Sequence, residues 1–344
     1  MLTMTDYIVP KVPAYSAPVS TGLQPESDLM KTPSQGFYSE PMGQWVSIAV
    51  VVLAGDRSEL PQWVVEQNVS HKLLVPLADE PLIGWTLKAL MPERRFSSLS
   101  MACNHPQLIA FGNEKGLSIL PSGNSGFETM SLSIKALEEQ DFILFVSGDH
   151  ALLTPEMLQH FIQESLLANH DLSVGIVSRE QVQAEYPDAV RTFFPFKNQL
   201  AITGANLFLF RRASFVNQSS DLAMFETNRK FQWSCLKAFS PWFALKILFR
   251  QLTVAEAAEY FSQRFGLTMG GVLLPFAEAA IDVDKQSDFV LVQHILENRL
   301  VDAELEAHLS GFTETDFQHS LRKTLTSSPK SLEEDDLLPA YSCC

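Results

Sequence analysis

The strongest constraint on the fold is the run Val46 to Ala54 (VSIAVVVLA), almost unbroken in apolar and β-branched residues and of strand length. Alternation would mark a strand with one wet face, whereas a continuous run marks a strand covered on both faces, as in a parallel sheet flanked by helices. A polar loop follows, Gly55 to His71, and then the pattern repeats. Pro81 to Leu90 has helical spacing, Ser97 to Ala102 reads as a strand, Pro106 to Phe111 as a short helix and Leu117 to Leu120 as a short strand. Gly126 to Glu139 reads as a helix leading into the apolar strand Phe142 to Val146. Thr154 as N-cap, Pro155 at the first helical position and Glu156 in the first turn start a helix to about Ala168, followed by strand Leu172 to Val177. This β-α-β rhythm predicts an α/β fold of three layers, a doubly wound and mostly parallel (mixed) sheet between helices.

The second half is less regular. Val190 to Phe196 and Gln199 to Ile202 read as a strand pair, Leu207 to Phe210 as another strand, and residues 220 to 265 as helices starting at Ser240-Pro241 and at the capping box Thr253 to Glu256. Strands near Thr268 to Leu274 and Ala279 to Val283 precede a helix from about Lys285 to Asn298. Residues 1 to 45 hold six of the 19 prolines and no sustained period, which predicts a disordered leader. The folded domain is expected over residues 46 to 300, with a helical insertion at about 212 to 265. Residues 301 to 344 read as a helical extension and an acidic tail that includes Glu333-Glu334-Asp335-Asp336.

Charge narrows the function classes. With 25 Lys+Arg against 40 Asp+Glu the formal charge is −15, and each end contributes four acids and two lysines, so −11 belongs to residues 46 to 322. Phosphate-backbone affinity comes from clustered Lys and Arg, so nucleic acid is excluded as the main ligand; an acidic chain suits cations. The apolar runs are too short for a membrane span. The four cysteines, at 103, 235, 343 and 344, lack metal-ligand spacing and predict a reducing compartment. The expectation is a soluble, cytoplasmic protein, with the Cys343-Cys344 pair either a modified or an incidental end.

In an open α/β sheet ligands bind beyond the carboxyl ends of the strands, near the point where strand order reverses. Three segments meet that rule. The first is Leu53-Ala54-Gly55-Asp56-Arg57, where Gly55 allows a sharp turn that presents amides to an anion and Arg57 offers a fork to phosphate; Lys72, after His71, adds a second cation. These residues are equally those of a tight turn with solvent-exposed Arg57 and Lys72. The second is Ser147-Gly148-Asp149-His150, at the end of the most apolar central strand. A carboxylate there is a turn residue or a ligand for a hard cation such as Mg2+, which needs only one or two protein carboxylates beside substrate phosphates. The third is Asp282-Val283-Asp284, with Asp282 and Asp284 sharing a face if the strand persists. Asp288 is explained by its place in the first turn of a helix, and His150 reads as structural.

In the same order and context, these segments resemble the MobA-like nucleotidyltransferase family (NTP transferases). The resemblance is carried by Leu53 to Arg57, Lys72-Leu73-Leu74-Val75-Pro76 with Pro81-Leu82-Ile83, Gly148-Asp149 with Leu153-Thr154-Pro155-Glu156, Thr203-Gly204-Ala205-Asn206, and Asp282-Val283-Asp284. It spans about residues 46 to 300 and implies a nucleotide-diphospho-sugar transferase-like fold. It also implies transfer of a nucleoside monophosphate from an NTP to a phosphorylated acceptor, a phosphosugar or phospho-cofactor, with pyrophosphate leaving. Asp149 and Asp284 would hold Mg2+. Lys72, Arg57 and the Leu53-Ala54-Gly55 loop would bind the phosphates, and Lys72, Arg57 and Asp149 would be catalytic. Ser122, Asn124 and Ser125 would contact the nucleoside, while Thr203, Gly204 and Asn206 would face the acceptor. Two rivals differ in kind. A catalytically silent nucleotide-binding or regulatory module is favoured by the acids Asp56 and Glu59 in the first loop. A nucleotide-sugar glycosyltransferase would show D-x-D at the mid-chain strand end, where this chain has Ser147-Gly148-Asp149.

Overall fold

The computed structural model describes residues 36–55, 59–216, 246 and 249–310, with side chains described up to residue 301. Eight strands form one sheet: β1 (Ile48–Leu53), β2 (Ser98–Ala102), β3 (Ser118–Leu120), β4 (Phe142–Ser147), β5 (Leu172–Ser178), β6 (Phe194–Pro195), β7 (Ala201–Arg211) and β8 (Met269–Leu273). The spatial order is β8-β5-β7-β4-β1-β2-β3, with β6 paired to β7. Neighbours are parallel except at β7, which runs antiparallel to β4, β5 and β6. The chain therefore steps outward from β1 through β2 to β3, then returns to place β4 on the other side of β1. That reversal opens a crevice beyond the ends of β1 and β4.

The apolar run of β1 follows from its central place. Ile48, Val50 and Val52 enter one core together with Leu144, Val146, Leu207 and Leu209, while Val51 enters a second core with Ile143, Phe145 and Phe210. Ile48 to Val52 are fully buried, and each Val or Ile side chain among them stabilises the fold by about 1.5–3 kcal/mol. The first core is closed by helices α1 (Leu82–Leu90), α2 (Pro106–Glu114), α4 (Pro155–Ala168) and α8 (Gln286–Ser310), and the second by α3 (Gly126–Ala136), α6 (Arg212–Val216) and α7 (Val254–Phe265). Helix α5 (Arg179–Glu185) follows β5. The expected three-layer α/β/α sheet is what the structure shows. No helix among the described residues is long and apolar enough to cross a membrane.

Several local expectations are corrected. Residues 37–39 and 44–46 form a hairpin, and Phe37 and Val46 are buried in the first core, so the leader reading fails from residue 36 onward. A three-residue strand is too short to give a periodic signal. Ala201, Ile202 and Leu207 to Phe210 belong to one strand, β7, with a register shift between Gly204 and Phe208, while Gln199 closes a 3-10 turn, Lys197–Gln199. Ala279 to Val283 is not a strand; Ala277–Ala280 forms a 3-10 turn, after which the chain crosses the sheet ends. The loop Gly55 to His71 contains a helical turn, Gln62–Val65, and the last helix runs to Ser310. The Ser240-Pro241 helix start, Arg57 and the terminal Cys343-Cys344 lie outside the described residues.

Candidate active site at the strand ends

Asp149 is positioned by backbone. The Gly148 amide donates to the Leu53 carbonyl at 2.9 Å, tying the end of β4 to β1, and the Thr86 hydroxyl donates to the Gly148 carbonyl at 3.1 Å. A Cβ on Gly148 would meet the Leu53 carbonyl oxygen at 3.0 Å and the Leu73 side chain at 2.9 Å, so any larger residue would have to push the strand ends or Leu73 aside. Asp149 follows, buried, and accepts a hydrogen bond from the Ser147 hydroxyl. Its own carbonyl accepts from the Val283 amide at 3.2 Å, which carries the third segment across the strand end.

Three carboxylates converge there, with oxygens of Asp149, Asp282 and Asp284 within 4.8 Å of one another. The Lys72 ammonium is buried among them. It touches Asp149 Oδ2, lies 3.2 Å from Asp284 Oδ1 and donates to the Val283 carbonyl at 2.8 Å. Lys72 opens a 3-10 turn, Lys72–Leu74, capped by His71, whose Nδ1 accepts from the Leu73 amide at 3.0 Å. Asp282 is held differently. Arg191 donates to Asp282 Oδ1 and to the Asp282 carbonyl, both at 2.8 Å, and lies 3.6 Å from Asp288; Asn206 donates to Asp282 Oδ2 at 2.8 Å. Burial, reinforced by the Asp149 and Asp284 charges and opposed by Arg191, pushes the Asp282 carboxyl up to about 6. Asp288 Oδ2 accepts from the amides of Asp284 and Lys285 at 3.1 and 3.0 Å, so it fixes the Asp284 backbone and caps α8. His150 is fully buried, and burial holds its imidazole down to about 4 against the pull of Asp149, so it is neutral near pH 7.

Beside the carboxylates lies a cavity of about 310 Å³ lined by Leu53, Gly55, Lys72, Asn124, Ser125 and Asp149, among others. Ala54 and Ser122 are buried and are not among its lining residues. The loop that bears Asn124 is fastened from outside. Asn104 bonds both the amide and the carbonyl of Ser122 at 3.1 and 2.7 Å, Thr129 accepts from the Gly123 amide at 3.0 Å, and Glu128 accepts from the Asn124 amide at 2.6 Å. Ser125 caps α3 through the Glu128 amide at 3.1 Å. Thr203 and Gly204 sit on β7 opposite Val177 and Ile176, while Asn206, at φ 53°, bonds into the carboxylate cluster.

Sequence reasoning named Lys72, Asp149, Asp282 and Asp284 but missed Arg191, Asn104 and Thr86. No local pattern marks these three, since each acts on a residue distant in sequence. Ser125 and Glu128 carried a readable S-x-x-E cap signal.

Residues 50–215 match the MobA-like NTP transferase domain. A hypothetical transferase from Thermus thermophilus superposes with a TM-score of 0.60 at 24% identity, over 71% of this chain and 99% of that one, and shows the shared fold. CMP:2-keto-3-deoxy-manno-octonic acid synthetase complexed with CTP (TM-score 0.49, 13% identity, 74% of this chain and 99% of that one) is also similar. So is 4-diphosphocytidyl-2C-methyl-D-erythritol synthase from Anaerococcus prevotii (TM-score 0.44, 10% identity, 73% and 99%). No curated protein sequence matches this one. The β1 and β4 strand ends that bound the crevice thus lie within the segment, residues 50–215, that matches the model of the MobA-like NTP transferase domain.

Proposed function

We propose that the chain is a magnesium-dependent nucleotidyltransferase of the cytoplasm, moving a nucleoside monophosphate from an NTP to a phosphorylated small-molecule acceptor and releasing pyrophosphate. The observation that carries this reading is the meeting of Asp149, Asp284 and Lys72 at the β1/β4 ends, beside a cavity lined by Gly55, Asn124 and Ser125. The donor set fits the metal: all carboxylate oxygen, with Asp282 already committed to Arg191 and Asn206, leaving two carboxylates, the number Mg2+ takes beside substrate phosphates. Asp149 and Asp284 would hold Mg2+, which would supply positive charge against the phosphates and the departing pyrophosphate.

The protein's own part is positioning and charge. Phosphoryl-type transfer asks for little covalent work from side chains, and a phosphate acceptor is already ionised near neutral pH, so no general base is required. Lys72, with Arg57 and the Gly55 loop amides, stabilises negative charge at the α- and β-phosphates. Asn124 and Ser125, on the cavity wall, would contact the nucleoside, and Thr203 and Gly204 with Asn206 would face the acceptor.

The test is single-turnover pyrophosphate release from each NTP with Mg2+, run against a panel of phosphosugars and phosphorylated cofactors. Release with one nucleotide and an acceptor supports the reading. Measurable NTP binding without release across the panel would instead support a silent nucleotide-binding module.

A further inference from the structure

Lys72 occupies the position that the proposed function gives to a metal. Its ammonium is matched by oxygens of Asp149, Asp284 and Val283, and the residue is only 5% exposed. An ammonium carries three donors, and these three oxygens satisfy them. A hard divalent cation seeks the same two carboxylates. The two cations repel strongly at contact distance in a buried setting, so they exclude each other from this pair.

Two features show where the ammonium can go. Lys72 also lines the 310 Å³ cavity, and its four-carbon stem turns about single bonds, so Nζ has a path from the carboxylates into that space. The charge balance supplies the reason to move. Asp149, Asp282, Asp284 and Asp288 stand against Lys72 and Arg191, so the cluster carries two excess negative charges with the lysine in place and three once it leaves. A phosphate in the cavity attracts the ammonium, and the carboxylates it leaves then attract a divalent ion.

We propose, resting on the nucleotidyltransferase reading, that Lys72 is an exchangeable internal counter-ion. Without nucleotide its ammonium fills the divalent-cation position on Asp149 and Asp284; nucleotide phosphate draws it away, and metal and nucleotide load together.

The experiment measures protein-bound Mn2+ by water-proton relaxation enhancement, with and without inorganic tripolyphosphate, and needs no turnover. The full chain is compared with Lys72→Met and with Lys72→Gln, the latter keeping a polar head group should the first fail to fold. The wild type is expected to bind Mn2+ weakly alone and at least about tenfold more tightly with tripolyphosphate. The variants should bind Mn2+ alone at least about tenfold more tightly than the wild type, with a smaller gain from tripolyphosphate. Equal Mn2+ affinity of wild type and variants without phosphate overturns the exchange, and leaves the functional reading standing if tripolyphosphate-dependent Mn2+ binding persists and is lost in Asp149→Asn. Absence of Mn2+ binding in every protein, tripolyphosphate included, overturns both.

Discussion

Asp282 is the residue on which the electrostatics of the crevice turn. Its carboxylate is buried next to two others, and Arg191 and Asn206 are what make that tolerable. Since its folded value, about 6, lies above the ordinary carboxylate value of 3.8, the folded state holds the proton more tightly than the unfolded chain. The resulting stability is present below about pH 4 and lost as pH rises through about 6. Asp282→Asn removes this loss, so urea denaturation should show its stability relative to wild type improving between pH 4.5 and 7.5; a constant difference would contradict the assignment. Arg191 is the counterpart. Arg191→Ala leaves Asp282 and Asp288 buried without their cation, which should cost about 3–5 kcal/mol by chemical denaturation. Lys in its place should recover only part of this, because an ammonium cannot reproduce the forked contact. Nothing in the local sequence around Arg191 foretold this, as its partner lies 91 residues away.

At the scale of elements, the sequence was legible wherever the signal was local. Thr154 caps α4 through the Met157 amide, and Thr253 with Glu256 closes a full capping box on α7, both as their spacing predicts. Thr253→Ala should therefore cost about 1 kcal/mol in thermal or chemical denaturation. The β-branched run of β1 gave the central strand for the same reason: burial on both faces leaves no alternation. Segments whose shape is set by a distant partner were misread. Ala279 to Val283 has a strand-like composition, yet no ladder takes it up; Val283 instead donates to the Asp149 carbonyl, and that crossing brings Asp284 to Lys72. The Gly148 turn is the other element the site depends on. Gly148→Ala forces a Cβ against the Leu53 carbonyl and Leu73, so a loss of about 1–3 kcal/mol is expected. A fall in kcat should exceed any change in KM, because Asp149 is displaced along with the backbone.

For the whole molecule, topology does what composition could only hint at. The net charge of −15 pointed to cations, but acids are spread along the chain, and only the return from β3 to β4 and the crossing at Val283 gather Asp149, Asp282 and Asp284. Lys72 and Val283, 211 residues apart, are joined by one hydrogen bond. The fold class was readable from the β-α-β rhythm, and Asp149 stood out because it follows a central strand end; Asp282 and Asp284 were singled out on a strand that does not form, and join the cluster through the crossing at Val283. The residues that hold them, Thr86, Arg191 and Asn206, were not readable as such, since their roles exist only after folding. Under the proposed function Asp149 and Asp284 together form the metal-bearing edge of the nucleotidyl-transfer site. Single-turnover pyrophosphate release with Mg2+ tests it most directly, comparing wild type with Asp149→Asn and Asp284→Asn on the nucleotide and acceptor that the panel identifies. The wild type should release pyrophosphate and each variant should lose at least about 100-fold, with both still folded; full activity in either variant rules out the pair as metal ligands.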